Sequence, residues 1–146
     1  MGQLRKLRIL IVDDHPLFRE GVRDALAGNA DIDVIGDVTN GQEAIEMVET
    51  LVPDIVLVDI NLPGIGGLEV TRKVRHAQPH VAVIILSDRE DDEQLFDATR
   101  VGAAAWLSKD SSGSDLLTTI RAVEKETTFP CCAIFCNPDL IFAGRD

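Results

Sequence analysis

Short apolar runs alternate along the chain with segments whose apolar residues recur at helical spacing. The runs that predict strands are Leu7–Val12, Asp33–Val38, Asp54–Asp59, Val81–Leu86 and Ala103–Leu107. The segments that predict helices are Pro16–Leu26, Asn40–Leu51, Leu68–Ala77, Asp91–Val101 and Ser111–Glu124. Five strand–helix units in succession indicate an α/β fold, whose parallel sheet carries helices on both faces. Three of these strands are almost continuously apolar, which agrees with this fold, because helices on both faces of a sheet bury both faces of its strands.

The residues at the ends of four predicted strands are polar. They are Asp13 and Asp14 after the first strand, Asp59 and Asn61 at the third, Ser87 after the fourth, and Ser108 and Lys109 after the fifth. Binding sites in parallel α/β folds lie beyond the carboxyl ends of the strands. If strands one, three, four and five are neighbours, these side chains meet in one crevice.

The three aspartates of this set, Asp13, Asp14 and Asp59, repel one another strongly when they are close together. A hard divalent cation with oxygen ligands relieves the repulsion, which indicates Mg²⁺. Lys109 adds a positive charge and Ser87 adds a hydroxyl donor, so the set suits transfer of a phosphoryl group to an aspartate. Because a single Asp after a strand is usually a turn or cap residue, the hypothesis depends on the whole set.

The composition of the chain limits the other functions. Its 146 residues, 45% hydrophobic and 27% charged, predict one soluble domain. No apolar run reaches the roughly 18 residues of a membrane span, and the run behind the basic start is too short for a secretory signal, so we expect a cytoplasmic location. The net charge of −11, from 14 basic and 25 acidic residues, disfavours binding of nucleic acid by this chain itself.

The cysteines Cys131, Cys132 and Cys136 lie close together near the end of the sequence. An odd and clustered set does not predict a disulfide framework. No histidine lies nearby to complete a four-ligand zinc site. We therefore expect tail cysteines in a reducing compartment rather than a metal site.

Four segments carry a resemblance to a known family. They are ILIVDDHPLFREGV (Ile9–Val22), PDIVLVDINLPGIGGLEV (Pro53–Val70), VIILSD (Val83–Asp88) and GAAAWLSKD (Gly102–Asp110). Over about residues 7–124 the chain resembles the receiver domain of two-component response regulators, the CheY-like family. The run Asp13–Gly21 is similar to the NarL/FixJ (LuxR-type) subfamily, whose members usually carry a DNA-binding helix-turn-helix after the receiver. The resemblance implies a flavodoxin-like, doubly wound (βα)5 fold with strand order 2-1-3-4-5.

The resemblance also implies a role for each strand-end residue. Asp59 would be the phosphoacceptor and Lys109 would pair with the phosphoryl group. The ligands of Mg²⁺ would be Asp13, Asp14, Asp59 and the backbone carbonyl of Asn61. Ser87 and Trp106 occupy the hydroxyl and aromatic switch positions, so that on phosphorylation Ser87 would move toward the phosphoryl group and Trp106 would repack inward. The alternative for Trp106 is a half-buried packing aromatic.

Two positions near the site depart from the family pattern or carry a subfamily feature. Gly66 stands where the family usually has Asp, which predicts a more flexible loop. His15 resembles a feature of the subfamily, and we expect it to be a loop residue rather than a catalyst.

The implied function is that of a signalling phosphoacceptor and not of an enzyme, with self-catalysed transfer and autodephosphorylation only. The phosphodonor would be a histidine kinase, and a helical face could form a homodimer. We assign residues 1–126 to the receiver domain and residues 127–146 to an apolar tail or the start of a linker. DNA would then be contacted only through an effector domain absent from this chain. The alternative is a stand-alone receiver that acts by protein–protein interaction.

Three other functions fit the sequence less well. A flavin or nucleotide binder of the same fold needs a phosphate cradle after the first strand, where Asp13 and Asp14 would repel phosphate. A receiver that only interacts would have lost an acidic residue or Lys109. A phosphatase with an aspartate nucleophile needs Asp-x-Asp, whereas this chain has Asp59-Ile60-Asn61.

Overall fold

The computed structural model describes residues 6–88 and 91–125. Its strands are β1 (Leu7–Val12), β2 (Ile32–Val38), β3 (Ile55–Asp59), β4 (Ala82–Ser87) and β5 (Ala105–Ser108). Its helices are α1 (Pro16–Leu26), α2 (Gly41–Leu51), α3 (Gly67–Ala77), α4 (Asp92–Arg100) and α5 (Gly113–Lys125). The strands form one parallel sheet in the order β2-β1-β3-β4-β5. The predicted fold class and strand order are therefore confirmed.

Several helices begin slightly later than the hydrophobic pattern predicted, because polar residues cap their first turns. The side chain of Asn40 accepts a hydrogen bond from the backbone N–H of Glu43 at 2.9 Å, and α2 starts at the next residue. Asp91 accepts bonds from two N–H groups of α4 in the same way. Ser112 caps α5, accepting a bond from the N–H of Asp115 at 3.0 Å. Such residues take extended backbone while satisfying donors of the first turn.

The start of β5 was also predicted too early. The structure begins it at Ala105 rather than Ala103. The turn after α4 uses Gly102 with a φ of +95°, and the N–H of Ala103 still bonds back to Ala98 at 3.1 Å. Ala103 therefore closes the helix end, and the ladder with β4 pairs Ile84 with Ala105.

The sheet separates two apolar cores. Helices α2, α3 and α4 cover one face, where the buried residues include Val12, Val58, Ile85, Val70 and Ala98. Helices α1 and α5 cover the other face, where the buried residues include Ile11, Leu57, Leu86, Leu26 and Ile120. Alternate residues of β1, β3 and β4 belong to different cores, which is why these strands are apolar without interruption.

The described part of the chain contains no helix that is both long and apolar enough to cross a membrane. The predicted division into residues 1–126 and 127–146 stays a prediction, since the whole of the second segment lies outside the described residues. Cys131, Cys132 and Cys136 lie outside them as well.

Candidate functional site

The end of β1 holds a fully buried carboxylate. Asp13 has no exposed side-chain surface, and its N–H donates to the carbonyl of Val38 in the neighbouring strand at 3.1 Å. The N–H of His15 donates to Asp13 Oδ1 at 2.8 Å, and the Arg19 guanidinium donates to the Asp13 carbonyl at 2.6 Å. The position of this carboxylate is thus set by a strand, by the turn that follows it and by α1.

The end of β3 holds the second buried carboxylate, Asp59, which is 2% exposed and pairs with Leu86 of β4. Its Oδ1 accepts a hydrogen bond from the N–H of Asn61 at 3.0 Å. The first residue of α3, Gly67, packs directly on this peptide. A Cβ atom there would lie 2.5 Å from the Asp59 carbonyl oxygen and 2.7 Å from Ile60 Cα. Glycine is therefore required for the approach of α3 to the end of β3.

Lys109 follows β5 and joins the two carboxylates. Its Nζ lies 2.7 Å from Asp13 Oδ2 and 3.1 Å from Asp59 Oδ2, and its N–H donates to the carbonyl of Ser87 at 2.7 Å. The Phe18 ring lies beside the ammonium, 4.6 Å away at its centroid. Burial acts to lower the pKa of Lys109, but the hydrogen bonds and charges of Asp13 and then Asp59 outweigh it, and the pKa lies above its ordinary value. Lys109 is therefore a fixed cation.

His15 also enters the site, which the sequence interpretation missed. Its Nδ1 lies 2.9 Å from Asp13 Oδ1, 3.3 Å from Asp14 Oδ1 and 4.0 Å from Asp59 Oδ2. The same nitrogen is 3.4 Å from Lys109 Nζ. His15 is indeed in the turn between β1 and α1, as expected, but its imidazole faces the acidic cluster. Its place directly after two strand-end aspartates was the signal available in the sequence.

The remaining predicted residues take different positions around this cluster. Ser87 ends β4, is 1% exposed and pairs with Ser108 of β5. Trp106 is 5% exposed and packs in the core under α2, α3 and α4, so it is more deeply buried than a half-buried aromatic and already faces inward. Asn61 is exposed beside Asp59. Gly66 is the N-cap of α3 with a φ of −73°, an ordinary extended conformation.

The ligand atoms of the cluster suit a divalent cation. One atom each from Asp13, Asp14, His15 and Asp59 lies within 4.8 Å of all the others. The three carboxylates and the Lys109 ammonium leave a formal excess of two negative charges at a site where Asp13 and Asp59 are buried and Asp14 is exposed. Asp13 Oδ2 is buried and, within the described residues, its polar contact is the Lys109 ammonium. Oxygen ligands with an excess of negative charge are what Mg²⁺ binds.

Comparison with known proteins places the chain in a family. Residues 9–121 match the response regulator receiver domain. The chain belongs to that family. It is 38% identical over 121 residues to the nitrate/nitrite response regulator protein NarL of Escherichia coli, covering 83% of this chain and 56% of NarL. It is 37% identical over 118 residues to the transcriptional regulatory protein DegU of Brevibacillus brevis, covering 81% of this chain and 50% of DegU.

Solved structures give the same result. The signal receiver domain of NarL from Mycobacterium tuberculosis superimposes with a TM-score of 0.79 at 33% identity, covering 83% of this chain and 98% of that one. These relatives confirm the receiver of the NarL/FixJ type that the motifs indicated. The receiver spans about half the length of the curated relatives that it matches.

Proposed function

We propose that this receiver accepts a phosphoryl group on Asp59 from a histidine kinase, in a reaction that depends on Mg²⁺. The observation that carries the proposal is the buried Asp59 carboxylate, held 3.1 Å from the Lys109 ammonium and grouped with Asp13 and Asp14. A buried carboxylate with a fixed cation and two acidic neighbours suits a phosphoryl acceptor better than a structural ion pair. Family membership supports the same role.

In the transfer, a carboxylate oxygen of Asp59 forms a bond to phosphorus while the bond from phosphorus to the donor imidazole nitrogen breaks. The leaving imidazole keeps the electron pair of that bond, and the product is an aspartyl phosphate. Lys109 Nζ, now in contact with Asp59 Oδ2, can follow the new negative charge onto a phosphoryl oxygen. The N–H of Asn61 holds the other carboxylate oxygen in place.

Mg²⁺ would be held by Asp13, Asp14, Asp59 and the backbone carbonyl of Asn61, and when bound it would neutralise charge on the transferring phosphoryl group. The side chains of Asp13 and Asp14 then have no covalent part in the transfer. Their task is to hold the cation beside an acceptor that is itself negative.

The response to phosphorylation would pass through Ser87 and Trp106. Ser87 ends β4 next to the strand that carries Asp59, and Trp106 pairs with Ile85, two residues earlier on the same face of β4. A movement of Ser87 toward a phosphoryl group would therefore act on the core that contains Trp106 and Ala98 of α4. Trp106 is buried in that core, and the resemblance attributes an inward packing of this aromatic to the phosphorylated form. We propose a shift of population between two packings.

The output that we propose is control of transcription through a DNA-binding domain outside this chain. Two relatives are named as a transcriptional regulatory protein and a nitrate/nitrite response regulator, and the chain covers only about half of each. We further propose that the receiver works in the cytoplasm, that a helical face can form a homodimer, and that its chemistry is limited to its own phosphorylation and dephosphorylation.

Intact-mass analysis after incubation with acetyl phosphate and Mg²⁺ tests the proposal. We expect one phosphoryl group on the 146-residue chain, none on Asp59→Asn, and none when a chelator removes the Mg²⁺. Asp54→Asn is the matched control, because Asp54 lies just before β3, at its other end, where its carboxylate accepts the Arg8 N–H at 2.9 Å. Labelling of Asp59→Asn to the same extent as the control would overturn the assignment.

A further inference from the structure

The Nδ1 atom of His15 faces partners whose requirements conflict. A neutral imidazole nitrogen carries either a proton or a lone pair. If Nδ1 carries a proton, it donates to Asp13 Oδ1 at 2.9 Å, but the Lys109 ammonium 3.4 Å away then faces that proton. If Nδ1 carries the lone pair, it accepts from Lys109 and faces the lone pairs of two carboxylates. Neither arrangement satisfies all the neighbours.

A metal ion would resolve this conflict, because the lone pairs of the nitrogen and of the carboxylate oxygens could then all point toward one cation. Around an ion with ligands at about 2.1 Å, adjacent ligand atoms are about 3 Å apart and opposite ones about 4.2 Å apart. From His15 Nδ1, the distances to Asp13 Oδ1, Asp14 Oδ1 and Asp59 Oδ2 are 2.9, 3.3 and 4.0 Å. The distances to Asp13 and Asp14 are close to those between adjacent ligand atoms, and the distance to Asp59 is close to that between opposite ligand atoms.

The backbone holds His15 where a ligand is needed. The residue is the N-cap of α1 with extended dihedral angles, and Pro16 begins the helix behind it. Its own N–H is bonded to Asp13 Oδ1 at 2.8 Å, so the backbone is tied to one of the metal ligands. The imidazole makes no capping hydrogen bond to α1. Its side chain is 61% exposed, so packing does not explain why the ring turns toward the carboxylates.

We propose that His15 is a nitrogen ligand in the metal site of this receiver, and that it makes the site favour Mn²⁺ and later transition-metal ions over Mg²⁺. Imidazole is a good ligand for transition metals, whereas Mg²⁺ takes oxygen ligands and gives up its waters reluctantly. The proposal rests on the proposed function only in that it uses the same site. Its consequence is that the metal content of the cell affects which ion the receiver carries.

The experiment measures the affinity of the whole chain for Mn²⁺ by electron paramagnetic resonance, and for Mg²⁺ by competition against Mn²⁺. Mn²⁺ is chosen because it binds thiolates weakly, which keeps the cysteines of the chain out of the measurement. We expect His15→Ala to lower the preference for Mn²⁺ over Mg²⁺ about tenfold, with most of the change in the affinity for Mn²⁺. His80→Ala, at an exposed histidine outside the cluster, should leave the preference unchanged.

A spectroscopic signal separates direct ligation from a change in local charge. Pulsed electron paramagnetic resonance of the Mn²⁺-loaded chain should show coupling to one ¹⁴N nucleus, which persists in His80→Ala and disappears in His15→Ala. His15→Asn is a second variant, since Asn is a good N-cap and keeps α1 stable while supplying oxygen in place of imidazole nitrogen. An unmodified chain without ¹⁴N coupling, or variants with an unchanged ion preference, would overturn the proposal.

Asp14→Ala distinguishes this failure from a failure of the proposed function. The variant should bind both ions more weakly, because it removes a carboxylate from the shared site. If Asp14→Ala lowers the affinity for both ions and the His15 variants leave the ion preference unchanged, only the role of His15 is wrong. If Asp14→Ala lowers the affinity for neither ion, the metal site itself is wrong, and the proposed function has no site for its cation.

Discussion

Lys109 Nζ lies 2.7 Å from Asp13 Oδ2, so the last strand and the first strand of the sequence are joined by an ion pair at the carboxyl edge of the sheet. The Asp13 side chain is fully buried and that of Lys109 is 10% exposed. Desolvation of two buried charges is costly, and removal of one partner leaves the other without compensation. The ion pair therefore stabilises the carboxyl edge of the sheet, and it also holds the Lys109 ammonium where a second anion can bind.

Replacement of Lys109 by Met should destabilise the metal-free protein by about 3 kcal/mol, because Asp13 and Asp59 would remain as buried like charges. Urea unfolding in the presence of a chelator measures the change. Lys73→Met is the control, since Lys73 lies on the exposed face of α3 and reaches Glu69 only at 4.0 Å. Equal stability of the two variants would contradict the structural role of the ion pair.

Asp14→Asn should have the opposite effect on the metal-free protein. Asp14 is 37% exposed and adds a third negative charge to the cluster, so its neutralisation should stabilise the fold by about 1 kcal/mol. The same variant should lose most of the stabilisation that Mg²⁺ gives to the unmodified chain, because binding to the folded state alone raises stability. Thermal unfolding with and without Mg²⁺ tests both effects. The control is Asp33→Asn, at an exposed position of β2, which should change neither the stability of the metal-free protein nor its stabilisation by Mg²⁺.

The adjacent glycines at the start of α3 should respond differently to serine. Gly66→Ser should stabilise the protein by about 0.5 kcal/mol, because φ is −73°, a Cβ would lie 3.7 Å from the nearest atom, and serine caps helices well. Gly67→Ser should cost about 3 kcal/mol, because its Cβ would meet the Asp59 carbonyl oxygen at 2.5 Å.

The two glycine variants also differ in what they do to the acceptor. Gly67→Ser should slow labelling by acetyl phosphate, since the peptide that carries Asp59 must move, whereas Gly66→Ser should not disturb that peptide. Denaturant unfolding and the rate of labelling by acetyl phosphate, measured for both variants, test these two expectations. A Gly67→Ser protein as stable as Gly66→Ser would show that α3 does not press on the end of β3.

The ion pair between Asp31 and Arg121 should make stability depend on pH in the acid range. The hydrogen bond from Arg121 lowers the pKa of Asp31 below its ordinary value of 3.8, against a smaller opposing effect of burial. A lowered carboxyl pKa contributes stability that is present above the unfolded pKa and is lost as pH falls through the folded pKa.

Asp31→Asn should therefore be less stable than the unmodified chain at neutral pH, and the difference should shrink as the pH falls below 3.8. The urea concentration at the midpoint of unfolding, measured for both proteins across this pH range, tests the expected change in the stability difference. Asp33→Asn serves again as an exposed control on β2. A difference for Asp31→Asn that stays constant with pH would mean that the pair between the start of β2 and α5 does not form in solution.

Much of this architecture follows from local patterns in the sequence. The apolar runs and helical spacings were enough to predict the five strands and five helices, because burial on both faces demands continuous apolar strands. The strand-end position of Asp13, Asp59 and Lys109 followed too, since a parallel sheet brings its carboxyl ends to one edge. The strand order came from the resemblance to a family, because alternation alone does not choose which strands are neighbours.

The tertiary structure decided what each side chain at that edge contacts. The ion pair of Lys109 with Asp13 depends on crossovers that place β1, β3 and β5 within reach of one another. The direction of the His15 ring depends on carboxylates from β1 and β3 together, whereas the sequence shows only that His15 follows two strand-end aspartates. The requirement for Gly67 arises from the approach of α3 to the β3 peptide. Sequence periodicity determines which residues are buried, whereas distances between atoms of different elements arise only when the layers pack.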